Sequence, residues 1–206
     1  MTAKLKIRIL GAGGHGRVVA EIAALNGYTD IEFADARYPA LTQNLIWPVV
    51  ANSLESLEPA VHCFVAIGNC GARRLAVAKL VAAGRHVPLL IHPRAVVSSL
   101  AQLGPGSVVM AQAAINPGAV IGQAAIINTG ATVDHDCRIG DGVHVSPGSH
   151  LAGRVTVGDE TWVGIGSAVR ELITIGEKAM IGAGAVVVKS VPDNAIVMGA
   201  PARQKE

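Results

Sequence analysis

Hydrophobic positions recur along most of this chain with a period of six. Residues 91–192 divide into seventeen consecutive six-residue units, and the first residue of every unit is Ile, Val or Leu, from Ile91, Val97 and Leu103 to Ile175, Ile181 and Val187. The fifth residue is nearly always small, as in Ala113, Ala125, Ala131, Cys137 and Ser149, with Val143, Val155, Ile173 and Val191 as larger exceptions. The second is often glycine (Gly104, Gly122, Gly140, Gly158, Gly164, Gly176, Gly182). A period of six matches neither a helix at 3.6 residues per turn nor a flat strand at 2. It fits a coil of short strands joined by sharp corners, a parallel β-helix. In such a coil the aliphatic residue fills the interior, the small one lets the next corner pass, and glycine supplies backbone freedom at the bends. Each coil stacks on its neighbour through inter-strand hydrogen bonds, so the array is stable only in bulk.

The first ninety residues follow other periods. Lys6–Leu10 reads as a buried strand, followed by Gly11-Ala12-Gly13-Gly14-His15-Gly16 and by a helical pattern over Arg17–Asn26 that Gly27 ends. Gly11, Gly13 and Gly16 fall at the three glycine positions of the dinucleotide fingerprint. A strand, a glycine loop and a helix N-terminus together offer free backbone N–H groups to an anion; a tight turn built for packing is the alternative. Ile31–Ala34 reads as a second strand ending in Asp35, an acid placed to bond a ribose hydroxyl or to cap the following loop. A short strand over Ile46–Val50, a stronger one over Val61–Ile67 and a helix over Ala72–Ala83 stopped by Gly84 complete the series, and Val87–Ile91 leads into the first coil. This alternation predicts a three-layered, Rossmann-like α/β domain with a parallel sheet over residues 1–90. An all-β unit with a C-terminal cap follows over residues 91–206. No Pro/Ser-rich linker separates them, so the junction near Ile91-His92-Pro93 is expected to be rigid.

Composition narrows the function. Half of the 206 residues are hydrophobic but only 3% are aromatic, which suits narrow coils better than a ring-anchored core. A formal net charge of +2 gives no footprint for nucleic acid or a membrane surface. Cys63, Cys70 and Cys137 lack metal-ligand spacing and form no even framework, so reduced thiols in a cytoplasmic setting are expected. The apolar run at the N-terminus is too short for a signal peptide, and no stretch reaches transmembrane length.

Few polar groups interrupt the coils, and the densest is Asp134-His135-Asp136. His135 is the third residue of its unit, where a side chain points out of the prism. An imidazole beside a carboxylate is a recipe for a general base, because the acid fixes the tautomer and favours the imidazolium. No serine or cysteine beside it suggests a covalent acyl-enzyme, since Cys137 holds an inward position.

The repeat resembles that of the left-handed β-helix, hexapeptide-repeat acyltransferases, with three faces and eighteen residues per coil. The handedness comes from the resemblance and runs against the usual crossover preference. The whole chain resembles a narrower group, the PglD/NeuD-type nucleotide-sugar acetyltransferases. The matching segments are Gly11–Gly16, Ala66–Asn69, Leu90–His92, Asn128–Asp136, His144–Ser146 and the closing Gly199-Ala200-Pro201-Ala202-Arg203. The resemblance implies acetyl transfer from acetyl-CoA to the amine of a nucleotide-linked amino sugar of the 4-amino-4,6-dideoxyhexose kind, by direct attack and without a metal. It implies His135 as the base and Asp136 as its acidic partner, where relatives usually carry Glu, with Asp134 as an alternative partner. Gly13, Gly14, His15, Asp35, Gly68 and Asn69 match contacts to the nucleotide-sugar, and His144, Ile165 and Ala183 match the acetyl-CoA path. His135 and His144 are half a coil apart and so lie on different parts of one prism. The resemblance implies a homotrimer with the donor in the groove between prisms, which would bring them together. The rivals are O-acetylation of a sugar hydroxyl, a zinc hydratase on the same coil, and a nucleotide sensor without turnover. For the zinc site, His144 and His150 share a phase and point apart.

Overall fold

The computed structural model describes residues 5–55 and 57–205. Its N-terminal unit is built on five strands: β1 (Lys6–Leu10), β2 (Asp30–Ala34), β3 (Gln43–Asn44), β4 (Trp47–Ala51) and β5 (His62–Val65). They lie in the order β3-β4-β2-β1-β5, with helices α1 (Gly14–Leu25) and α2 (Cys70–Ala82) following β1 and β5. Alternation along β1 and β5 sends Ile7, Ile9 and Phe64 towards Val19, Ile22 and Ala23 of α1. Leu10 and Val65 turn the other way, towards Val77 of α2. The expected three layers are present, with several differences of detail. Both helices begin earlier than their apolar pattern, at Gly14 rather than Arg17 and at Cys70 rather than Ala72. Backbone caps start a helix, and the hydrophobic face joins only once a turn has formed. The strand expected over Val61–Ile67 is shorter, and the one expected over Ile46–Val50 runs one residue later and makes an antiparallel hairpin with β3. The sheet is therefore parallel except at its edge.

Beyond Leu90 the chain winds into three stacked sheets of two-residue strands, eight, five and six strands deep. Up to the closing hairpin, each strand pairs in parallel with the one a coil later: Ile127 with Val145, Val133 with Leu151, Ile139 with Val157. This is the left-handed β-helix of hexapeptide repeats. First-position aliphatics from Val109 to Val187 and fifth-position residues such as Ala113, Cys137, Val155 and Ala185 form one continuous interior. Ser107, Ser149, Thr161 and Ser167 hold fifth positions with no exposure at all, because each hydroxyl donates to a carbonyl of the adjoining coil. At the far end a short antiparallel hairpin (Ile196–Met198 with Arg203–Gln204) closes the stack, and Ala202 packs against the interior.

The glycines divide their work differently from the sequence reading. Every fourth-position residue from Gly106 to Gly184 has a positive φ, and seven of them are not glycine: Gln112, Ala124, Asp136, Arg154, Glu160, Leu172 and Lys178. The bends are thus at the fourth position, at a cost of roughly 1–2 kcal/mol for each non-glycine, and β-branched residues are absent there. The second-position glycines have ordinary φ. A Cβ on Gly158 would lie 2.5 Å from the Glu177 nitrogen and 2.7 Å from the Gly176 carbonyl carbon. These glycines exist because successive coils touch there. Gly158→Ala is therefore expected to cost about 1–3 kcal/mol by overpacking, read as a lower melting temperature. Leu172→Gly, at φ 61, is expected to leave the melting temperature unchanged or higher.

Candidate active site

His135 and Asp136 form the corner between strands Thr132–Val133 and Arg138–Ile139. Their side chains are about half exposed, 54% and 53%. Asp136 takes the left-handed corner conformation, φ 59, which brings its carboxylate back onto its neighbour: Oδ2 lies 2.9 Å from His135 Nδ1. That bond, and then the charge of Arg154, hold the Asp136 carboxyl below its usual range. Asp134 turns away and accepts from Asn116 Nδ2 and from the His135 backbone N–H. Within the chain, then, the partner of the imidazole is Asp136. An ionised carboxylate on Nδ1 places the ring proton there and leaves Nε2 as a free acceptor. Cys137 faces inward with no exposure, and burial raises its thiol pKa.

A groove of about 450 Å³ lies at another corner, lined by His144, Ser146, Trp162, Ile165, Met180 and Ala183 among others. The three residues expected on the acetyl-CoA path, His144, Ile165 and Ala183, all fall on it. Its floor comes from the sixth position of every third unit in the eight-stranded sheet. That outward column reads Leu90, Val108, Ile126, His144, Trp162, Met180, Ile196. Leu90, Val108 and Ile126 are sealed in the core shared with α1. The next three line the groove, His144 buried at its inner end and Trp162 and Met180 exposed, with the His144 and Trp162 rings 4.4 Å apart. Trp162 and Met180 were not legible as site residues by motif; reading the column at eighteen-residue spacing finds them.

The N-terminal loops converge on the same face. Gly11 has φ 106, and a Cβ there would lie 2.7 Å from the Ala66 carbonyl oxygen, while a Cβ on Gly16 would collide with the Gly11 carbonyl. Those two glycines serve packing. Gly13 and Gly14 open onto free space at the N-terminus of α1. Asp35 accepts from the Ala12 and Arg37 backbone N–H groups and from Arg37 Nε and Nη2, so its lone-pair sites are filled within the chain. The Arg37 guanidinium holds its carboxyl well below the ordinary range. Its role in the structure is to tie the loop after β2 to the glycine loop. Asn69 caps α2 by accepting from Ala72 N–H at 2.9 Å and borders a second hollow, which shares the Trp162–Met180 wall with the groove.

Arg73, 1% exposed, was missed by sequence reasoning. Its guanidinium donates to the carbonyls of Ile67, Gly68, Ala124 and Gly142, and so bolts α2 to two solenoid corners. No carboxylate is among these partners, and the charge is felt nearby. Burial, then Arg73, push the His15 imidazole down to about 4. Burial, Arg73 and His15 push His144 down to about 3. Asn128 Oδ1 accepts from Thr129 N–H, so its Nδ2 donates to His144 Nε2 at 3.0 Å and the ring proton of His144 sits on Nδ1. His144 Nδ1 and His15 Nε2 are buried without a hydrogen-bond partner among the described residues. The structure thus gathers His15 with His144 in one chain, and leaves His135 at a separate corner.

A parallel hexapeptide solenoid with an exposed His–Asp pair and an apolar groove defines the acyltransferase class. The PglD N-terminal domain family matches residues 6–80, and the bacterial transferase hexapeptide (six repeats) family matches residues 118–153. The acetyltransferase domain of PglB from Neisseria gonorrhoeae FA1090 is 43% identical, with a TM-score of 0.93 over 98% of this chain and 100% of that one. PerB from Caulobacter crescentus, solved with CoA and GDP-perosamine, is 41% identical, with a TM-score of 0.92 over 98% and 97%. The UDP-N-acetylbacillosamine N-acetyltransferase of Bacillus subtilis (strain 168) is 38% identical over 107 residues, 48% of this chain and 49% of that protein, so the match spans about half its length. The chain belongs to the PglD-type acetyltransferases.

The two depressed imidazoles set an acid limit. Unfolded histidines take up protons near pH 6.5, whereas the folded protein refuses them until about 4 at His15 and about 3 at His144. Stability is therefore complete above pH 6.5 and is lost as pH falls through that window. Thermal melts between pH 8 and 4 are expected to show a declining midpoint, with a shallower slope for His144→Gln.

Proposed function

We propose that this chain is an acetyl-CoA-dependent N-acetyltransferase acting on a nucleotide-linked 4-amino-4,6-dideoxyhexose. The observation that carries the reading is the half-exposed His135 imidazole, its Nδ1 bound to Asp136 at 2.9 Å and its Nε2 without a hydrogen-bond partner among the described residues. The relatives support it, since one is a UDP-N-acetylbacillosamine N-acetyltransferase and another was solved with CoA and GDP-perosamine. The N-terminal unit, residues 1–90, holds the nucleotide at Gly13, Gly14, His15, Gly68 and Asn69; a ribose hydroxyl reaches Asp35 only by displacing Arg37. The solenoid unit, residues 91–206, takes the thioester along His144, Ile165 and Ala183. A further hollow at the end of the stack is lined by Lys189 and by Arg203 of the closing hairpin.

The sugar amine attacks the thioester carbonyl while His135 Nε2 takes its proton. The tetrahedral oxyanion that forms calls for a backbone N–H donor beside it. The intermediate collapses, expelling CoA thiolate, which recovers the proton from the imidazolium. No covalent acyl-enzyme is needed, and proximity supplies much of the acceleration. Because His135 and the groove occupy different corners of one prism, the site is completed by a second copy. A homotrimer with three such crevices meets that need.

Incubation with acetyl-CoA and UDP-, dTDP- or GDP-linked 4-amino sugars is expected to release free thiol, with the corresponding 4-hydroxy sugars inert. His135→Ala is expected to lower kcat by about 10²–10⁴-fold with little change in KM for acetyl-CoA. Ala183→Trp is expected to raise that KM. Unchanged turnover in His135→Ala, or thiol release with the hydroxy sugars alone, contradicts the reading.

A further inference from the structure

Gly153 sits one coil beyond His135 in the same corner column, which runs Pro117, His135, Gly153, Glu171. Its neighbours in the column carry side chains, so the corner itself does not demand a glycine. Its φ lies outside the positive range, so backbone freedom does not demand one either. What occupies the missing space is the imidazole: a Cβ on Gly153 would lie 2.5 Å from His135 Nε2, 2.7 Å from Cε1 and 3.2 Å from Cδ2. The coils are fixed around this contact. Arg154 N–H donates to the His135 carbonyl at 2.9 Å and Leu172 N–H to the Gly153 carbonyl at 3.1 Å, while Arg154 Nε lies 3.8 Å from Asp136 Oδ2.

We propose that Gly153 is a positioning residue for the general base, its absent side chain forming the slot that seats the His135 ring. This rests on the reading of His135 as that base. With the ring in the slot, Nδ1 meets Asp136 and the Nε2–Cε1 edge lies against Gly153. A methyl group at 153 leaves two escapes. Either the ring swings out and gives up its bond to Asp136, or the coil lifts and strains the corner hydrogen bonds. Both misplace Nε2 by an ångström or so, a shift worth on the order of 10²-fold in rate.

The test is a cycle of Gly153→Ala, His135→Ala and the double variant, each assayed for acetyl transfer across pH and melted thermally. Gly153→Ala is expected to lower kcat on the order of 10²-fold and to displace the acidic limb of its pH profile. Added to His135→Ala, where no ring is left to strike, the same methyl is expected to change neither the residual rate nor the melting temperature. A Gly153→Ala chain that fails to fold while the double variant folds supports the slot equally. Full kcat in Gly153→Ala, or the same loss of melting temperature in both backgrounds, overturns it. The melts decide the packing claim on their own, so a wild-type protein without turnover would sink the reading of the base and leave the slot separately answered.

Discussion

Everything in this molecule depends on coil-to-coil backbone pairing across eighteen residues. A two-residue strand has no stability of its own; it persists because its N–H and C=O groups meet the strand one coil above and below. The same pairing continues through the corners, where the fourth-position N–H of one coil donates to the third-position carbonyl of the coil before it, as Arg154 does to His135 and Asp136 to Pro117. That continuity lets seven non-glycine residues hold a left-handed conformation they would otherwise avoid. One of the seven is Asp136, whose corner geometry is what turns its carboxylate onto the His135 imidazole. The strain of the turn and the chemistry of the pair share one cause.

The second constraint is the joint between the α/β unit and the solenoid. Arg73 is a buried cation held by four backbone carbonyls and the Cys70 sulfur, and Arg74 beside it reaches Asp159 Oδ2 at 3.0 Å and Glu160 Oε1 at 2.8 Å on the solenoid. On the opposite side, Asn26 at the end of α1 exchanges two hydrogen bonds with Ile91 at the first coil. These contacts place the glycine loop over the column that continues into the groove. They also place a fixed positive charge near His15 and His144, which with burial keeps both rings neutral. A neutral His144 whose proton sits on Nδ1 offers a donor without a second charge to desolvate.

The repeat was legible in the sequence because its signal is redundant: a wrong residue at one unit leaves sixteen others. The outward direction of His135 followed from its phase in the unit, and the three residues that the resemblance assigns to acetyl-CoA share one groove. Single contacts without a repeating signal were not legible. Gly153 looks like any other glycine until the ring above it is placed. Arg73 reads as one more helical arginine, because its partners are backbone carbonyls that sequence does not mark. The second-position glycines were assigned to bends since glycine usually serves that purpose, whereas here they mark close approach of stacked backbones. Asp35 stood between two readings that only the position of Arg37 separates.

The central claim is spatial: His135 of one copy faces the groove of another. It is tested most directly by subunit mixing, using His135→Ala and the groove-blocked Ala183→Trp, assayed at acetyl-CoA far below the raised KM so that each assembled alone is nearly inactive. After co-refolding in equal amounts, one crevice in four combines an intact imidazole with an intact groove, so about a quarter of wild-type activity returns if the copies close into a ring. Mixed assemblies that form and yet recover no activity would contradict the account.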